Sequence, residues 1–342
     1  IGDGMGQAQV AAADSYLSYK NGVLGGEHMC FTQFPVTGLA TSFSANSRVT
    51  DSSAAGTAIA SGIKTNNGWL GVDPEEVPTS SMAFDFHEMG YKVAVTSSVP
   101  VNHATPASFY AASRSRGDYY KISAQIPDSG FEFFSGSGFL DYYDENGENG
   151  TCEKLAEAGY TICYGQEEYN EAKAAGNEKV ILVPSASKGT NASNYTVGHS
   201  KDDITLKDVV SDAIDFFGDK APFFVMCEGG EIDWACHNND SAYLAGEMAD
   251  FENMLRAVLD FAKRDGQTLV IVTADHETGG LTLLDGNIKE GVSNPTWKTA
   301  SHSGVMVPVF SYGPGAECFA GVQQNTDFYN KILHLLQLRN AR

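Results

Sequence analysis

The chain reads as an α/β protein, a three-layer α/β/α sandwich built on a large, mainly parallel central sheet. Three observations predict this. Short apolar runs alternate with amphipathic segments over most of the sequence. The runs are almost continuously hydrophobic, as strands covered on both faces must be. Each of the clearest runs is followed at once by acids, imidazoles or hydroxyls, which places polar groups beyond the carboxyl ends of strands, where open α/β sheets bind ligands.

Taken in order, Ile1-Gly2 has the character of the end of a buried strand that begins upstream of the first residue, and it leads into Asp3-Gly4-Met5-Gly6. No leader is visible, which is uninformative for a chain read as starting inside its domain. In Thr50-Asp51-Ser52-Ser53-Ala54-Ala55-Gly56-Thr57-Ala58 an acid-flanked serine enters a small-residue segment suited to a helix. Unpaired N–H groups at such an end make Ser52 either a nucleophile in a phosphate cradle or an ordinary helix cap. Tyr91 to Thr96 is the next strand and leads to Asn102-His103-Ala104-Thr105-Pro106. Residues from about 118 to 200 are rich in Gly, Ser, Asn, Tyr and acids, with weak periodicity, and read as an insertion over the rim that shapes access. Pro222 to Cys227 leads to Glu228-Gly229-Gly230-Glu231-Ile232-Asp233. Thr268 to Thr273 leads to Ala274-Asp275-His276-Glu277-Thr278-Gly279-Gly280. Between them Leu244, Met248, Phe251, Leu255, Val258, Leu259 and Ala262 recur at steps of three and four, the core stripe of a helix. Residues 1–342 thus read as one domain carrying an insertion.

With 342 residues and 42% hydrophobic content the chain can bury one large core. Its net charge of −21 is the wrong footprint for nucleic acid and marks a solvated acidic face. No run approaches about 18 apolar residues, so no transmembrane helix is expected. Six cysteines are too few for a disulfide scaffold at this length. Cys152 and Cys163, close together in a polar stretch, are the pair best spaced to bond, with free thiols the alternative.

Asp233 and His237 are four apart, so on a helical turn they share a face and can chelate one metal. Asp275-His276 at a strand end, followed by Glu-Thr-Gly-Gly, presents acid and imidazole outward from a tight turn. A catalytic zinc takes about three protein ligands and keeps a position open. Asp3, Ser52, Asp275 and His276 can serve one zinc, and Asp233, His237 and His302 a second. Thr105 and Glu228, sharing Asp3, are hard oxygen donors suited to magnesium.

Asp3 in I-G-D-G-M-G, Ser52 in V-T-D-S-S-A-A-G-T-A, N-H-A-T-P, E-G-G-E-I-D-W-A-C-H, T-A-D-H-E-T-G-G and A-S-H-S-G-V stand in the order of the alkaline phosphatase family, which the chain resembles over nearly its whole length. The resemblance implies hydrolysis of small-molecule phosphate monoesters through a phosphoserine on Ser52, two Zn2+ and one Mg2+ divided among the ligands above, and a phosphate-gripping arginine at Arg116, 13 residues after His103. It also implies a periplasmic or secreted homodimer. His103 and Trp234 replace an Asp and a Lys of the enteric enzyme and are closer to marine bacterial members, which bears on the third metal. A phosphodiesterase of the same superfamily and a non-catalytic metal-binding relative are the competing readings. A sulfatase is disfavoured, because Ser52 lacks the C/S-x-P-S-R context.

Overall fold

The computed structural model describes residues 1–20, 27–141, 150–188, 204–218, 221–287 and 292–340. In chain order the strands are β1 (Val36–Thr41), β2 (Lys92–Ser97), β3 (Phe133–Ser135), β4 (Tyr160–Tyr164), β5 (Lys179–Val183), β6 (Phe223–Glu228), β7 (Val270–Thr273), β8 (Glu277–Thr278), β9 (Thr282–Asn287), β10 (Val292–Thr296), β11 (His302–Ser303), β12 (Val307–Tyr312) and β13 (Gly321–Gln324). Five of them form an all-parallel sheet in the order β4-β5-β3-β2-β6, and four form a mixed sheet in the order β13-β1-β12-β7. The opening residues join the two. Gly2 bridges Gly229 in parallel, the Gly229 N–H donates to the Ile1 carbonyl at 2.9 Å, and the Gly2 N–H donates to the Thr273 carbonyl at 2.9 Å. The strand expected at the chain start is therefore the seam of the sheet.

Both faces are buried, and side-chain alternation explains how. Along β2 and β5, Val93, Val95, Ile181 and Val183 enter the main core, while Ala94, Val180 and Leu182 point to a second core with Phe133, Tyr169, Val209 and Ala213. Helices on either side complete three layers. The largest, Ser241–Asp265, buries Leu244, Met248, Phe251, Leu255, Leu259 and Ala262 as the sequence stripe requires. Its ends are set by the Asp240 carboxylate, which accepts from the Ala242 and Tyr243 N–H groups, and by left-handed Gly266. Among the described residues no helix is long and apolar enough to cross a membrane.

The structure adds to two of the sequence readings. The stretch from about 118 to 200, read as an insertion over the rim, also supplies β3, β4 and β5 to the parallel sheet. Its strands are only three to five residues long, too short for a period to stand out from the surrounding glycines and serines. Residues 142–149 and 189–203 of that stretch lie outside the described residues. Cys163 carries a free thiol, so the Cys152–Cys163 pair is not formed. Cys163 points into the second core, whereas Cys152 packs against the main one. The sheet stands between them.

The helix Ser52–Ser61 is buried along all ten residues, which its run of serines, alanines and one glycine permits. It is pinned from outside, because the Thr57 hydroxyl accepts from the Gly71 N–H at 2.9 Å. Gly71 has φ +59°, and an added Cβ would lie 2.0 Å from the Ala111 carbonyl oxygen. Gly71→Ala combines a left-handed backbone with a collision against main chain, and is expected to lower stability by roughly 2–4 kcal/mol, measured by urea unfolding. An unchanged midpoint would show that this turn does not constrain the buried helix.

Candidate active site

The carboxyl edge of the sheet brings the candidate ligand residues together. Asp3 follows the seam segment, Glu228 ends β6, and Asp275-His276 follows β7. His103 and Thr105 follow β2, with Thr105 on the short helix Ala104–Ala107. Asp233 and His237 lie on the helix Glu231–His237, entered directly from β6, with Asp233 Oδ2 3.2 Å from His237 Nε2. His302 arrives differently. β12 runs antiparallel to β7 and β1, so its amino end lies on this edge, and His302 just before it reaches the same rim.

Ser52 opens its helix behind the N-cap Asp51, whose Oδ1 accepts from the Ala54 N–H at 3.1 Å. The cap hydrogen bond leaves the serine Oγ at the positive end of the helix, 3.3 Å from His276 Nε2. His276 Nε2 also lies 3.3 Å from Asp3 Oδ1 and 3.2 Å from Asp275 Oδ2, and its ring stacks on His302 with centroids 3.6 Å apart. Asp3 Oδ2 is 3.5 Å from the Thr105 hydroxyl, and Glu228 accepts from the Ser97 hydroxyl.

Hydrogen bonding fixes two of the imidazoles. His237 Nδ1 donates to the Ala300 carbonyl at 2.8 Å and His302 Nδ1 to the Thr50 carbonyl at 2.9 Å. A carbonyl only accepts, so both rings carry their hydrogen on Nδ1 and turn Nε2 inward, the two Nε2 atoms 3.2 Å apart beside Asp233. Ligating atoms of Asp233, His237 and His302 lie within 4.8 Å of one another, and so do those of Asp3, Asp233 and His276. Asp233 thus reaches both groups, not only the second one.

Charge in this pocket is unbalanced without a cation. Burial pushes the Asp3 carboxyl well above the usual range, and the neighbouring Asp275, Asp233 and Glu228 carboxylates add to it. Burial raises Glu228 to about 7 against the opposing Ser97 hydrogen bond. Burial also opposes ionisation of Asp233, but the His237 hydrogen bond and the three imidazoles outweigh it and hold this carboxyl below the usual range. The Asp233 hydrogen bond raises His237 to about 8. Asp3 Oδ1, Glu228 Oε1 and Asp275 Oδ2 are buried with no hydrogen-bond donor among the described residues. Such oxygens are costly unless a cation meets them, and a carboxylate–imidazole donor set fits a divalent metal.

Arg116 reaches Asp51, the residue before Ser52. Its Nη1 is 3.1 Å from Asp51 Oδ2 and its Nη2 is 3.4 Å from His103 Nε2, leaving the rest of the fork open. His103 is held to about 3 by burial and by the Arg116 charge, so it stays neutral and accepts. Its ring meets Trp234 edge-on at 5.9 Å. His103 therefore turns toward Arg116, while the Thr105 hydroxyl faces the carboxyls of Asp3 and Glu228. Sequence reasoning gave no role to Asp51, which binds Arg116, the Ser53 hydroxyl at 2.8 Å and the Gly68 N–H at 3.0 Å besides capping the helix. The signal was its place directly before Ser52, which a capping role fully accounts for.

Burial raises the Asp51 carboxyl, but Arg116 and the surrounding donors outweigh it and leave the pKa lowered. A lowered carboxyl contributes stability that is present above its unfolded pKa of about 3.9 and is lost as pH falls through the folded value. Asp51→Asn, which can still cap, is expected to cost about 1 kcal/mol at pH 7 for this partly exposed pair. The difference from the parent should shrink below about pH 4. Urea melts at pH 7 and pH 3 check this, and a difference independent of pH would remove the ion pair as its source.

The profile of the family described as Alkaline phosphatase matches residues 1–139 and 188–293. Alkaline phosphatase 4 of Bacillus subtilis is 29% identical over 415 aligned residues, covering 98% of this chain and 87% of that protein. The Escherichia coli alkaline phosphatase is 26% identical and covers 99% and 85%. The solved alkaline phosphatase of the Antarctic bacterium TAB5 superposes with a TM-score of 0.87 at 34% identity, covering 98% of this chain and 96% of that one. A His-to-Glu variant of the TAB5 enzyme, solved with Mg bound in its M3 site, gives 0.86 at 32% identity over the same shares. With a profile spanning most of the sequence and a fold shared end to end, this chain belongs to the alkaline phosphatase family, enzymes that hydrolyse phosphate monoesters.

Proposed function

We propose that the chain hydrolyses phosphate monoesters at alkaline pH through a phosphoserine on Ser52, with two zinc ions and one magnesium held by its buried donors, releasing inorganic phosphate. The observation that carries this reading is the setting of Ser52. It opens a wholly buried helix, its Oγ lies 3.3 Å from His276 Nε2, and the preceding residue anchors Arg116.

Asp3, Asp275 and His276 would hold the zinc beside the serine, and Asp233, His237 and His302 the second zinc. Asp3, Thr105 and Glu228 would hold magnesium, whose preference is for hard oxygen. Bound there, the metals supply Lewis acidity that lets the serine hydroxyl and a water ionise near neutral pH. A His-to-Glu variant of the TAB5 enzyme with Mg bound in its M3 site supports a third metal position in this fold. The same reading takes residues 1–342 as one domain and places a homodimer in the periplasm or outside the cell.

The chain's own residues then divide the work. Ser52 Oγ forms a bond to phosphorus as the ester oxygen leaves, and a water later displaces the serine, so phosphate departs with the water oxygen. The helix terminus at Ser52 stabilises the negative charge that collects there. Arg116 grips two phosphoryl oxygens through the N–H donors that Asp51 and His103 leave open, a bidentate contact that lysine does not reproduce.

An aryl phosphate is expected to be hydrolysed at alkaline pH, with activity lost on chelation and restored by zinc and magnesium. Radiolabelled phosphate quenched in acid should mark Ser52, and Ser52→Ala should abolish the label while keeping the metals. Label on another residue would end the nucleophile assignment. Equal turnover of a diester would favour the diesterase reading. Arg116→Ala leaves the metal donors intact and is expected to cost about 2–3 kcal/mol, roughly 30- to 150-fold in kcat/KM. Unchanged kcat/KM and phosphate affinity would place Arg116 outside the reaction.

A further inference from the structure

Two of the three inward-facing imidazoles rest on main-chain carbonyls, of Ala300 and Thr50. The third rests on a side chain. His276 Nδ1 lies 3.2 Å from the Thr278 hydroxyl, and that hydroxyl lies 2.5 Å from Asp233 Oδ1. Thr278 is fully buried, and its N–H donates to the Gly4 carbonyl at 3.2 Å. A Cβ on Gly4, which has φ +70°, would come 2.9 Å from both Thr278 Oγ1 and Asp233 Oδ1, so this arrangement is boxed in on the side of the chain start.

The proton inventory decides the roles. The nearer partner of the Thr278 hydroxyl is a carboxylate oxygen, Asp233 Oδ1, which as a ligating atom accepts, so the single hydroxyl hydrogen goes to Asp233. Toward His276 the same oxygen can then only accept, which puts the ring hydrogen on Nδ1 and leaves the Nε2 lone pair facing Ser52, Asp3 and Asp275. Asp233 belongs to both candidate metal groups, and His276 to the one beside the serine. One hydroxyl therefore sets a ring tautomer in one group and a carboxylate orientation shared by the other.

We infer that Thr278 is a positioning residue that couples metal binding at the two groups, holding Asp233 and His276 in register through its hydroxyl. The inference rests on the metal reading above. Groups that orient metal ligands commonly change affinity 10- to 100-fold when lost.

The test is zinc retention against a competing chelator, with zinc counted per chain, on the parent, Thr278→Val and Thr278→Ser. Thr278→Val keeps the shape and loses the hydroxyl, and is expected to release both ions at roughly 10- to 100-fold lower chelator concentration while its far-UV circular dichroism stays unchanged. Thr278→Ser keeps the hydroxyl and should retain both ions as the parent does. A valine variant that retains both ions, or that loses only one, overturns the coupling. A serine variant that releases zinc as the valine one does assigns the effect to the lost methyl and overturns it equally. A parent that binds no zinc overturns the metal reading itself and the inference with it. Should the valine chain not fold, Thr278→Ala carries the same comparison.

Discussion

Four carboxylates, of Asp3, Glu228, Asp233 and Asp275, are buried within reach of three imidazoles at the seam of the sheet, none more than 4% exposed. Their mutual repulsion is the constraint around which the site is organised. Burying one ionised group is costly, and burying four of the same sign is sustainable only where opposite charge and fixed donors meet them. The fold supplies the donors: the Gly4 N–H on Asp275, the Ser97 hydroxyl on Glu228 and the Thr278 hydroxyl on Asp233. The remaining opposite charge is the role a set of divalent cations would fill, and the oxygens left without donors are where they would sit.

The sequence showed β2, β6 and β7 because each of these apolar runs ends directly in chemistry. The runs ending near Thr96, Cys227 and Thr273 became β2, β6 and β7 within a residue or two at most boundaries, and the helix stripe from Leu244 to Ala262 is buried except for half-buried Val258. The ligand residues were legible for the same reason, since a strand carboxyl end places side chains at one edge without knowledge of the packing.

What was not legible depended on contacts between distant segments. Nothing local announces that β12 runs against its neighbours, yet that reversal brings His302 to the rim. The strands β3 to β5 lie among glycines and serines that hide their pattern, and pairing defines them: β3 with β2, β5 with β3 and β4 with β5. Cys152 and Cys163 are neighbours in sequence, separated by a sheet whose position the sequence does not contain. Asp51 and Thr278 were quoted within their motifs, but a capping acid and a turn threonine look the same whether or not an arginine or an imidazole stands beside them.

The seam segment has a consequence for how the molecule comes into being. Gly4 contacts Asp275 across 271 residues, Thr50 contacts His302 across 252, and Ser52 contacts His276 across 224. Closing loops of this length costs chain entropy before any contact rewards it, so these encounters belong to the late stages of folding. The carboxylates remain in water, apart and individually harmless, until the two ends of the chain have found each other. Reactivity is in this sense a property of completed topology, and a partly folded chain carries all the same residues without the chemistry.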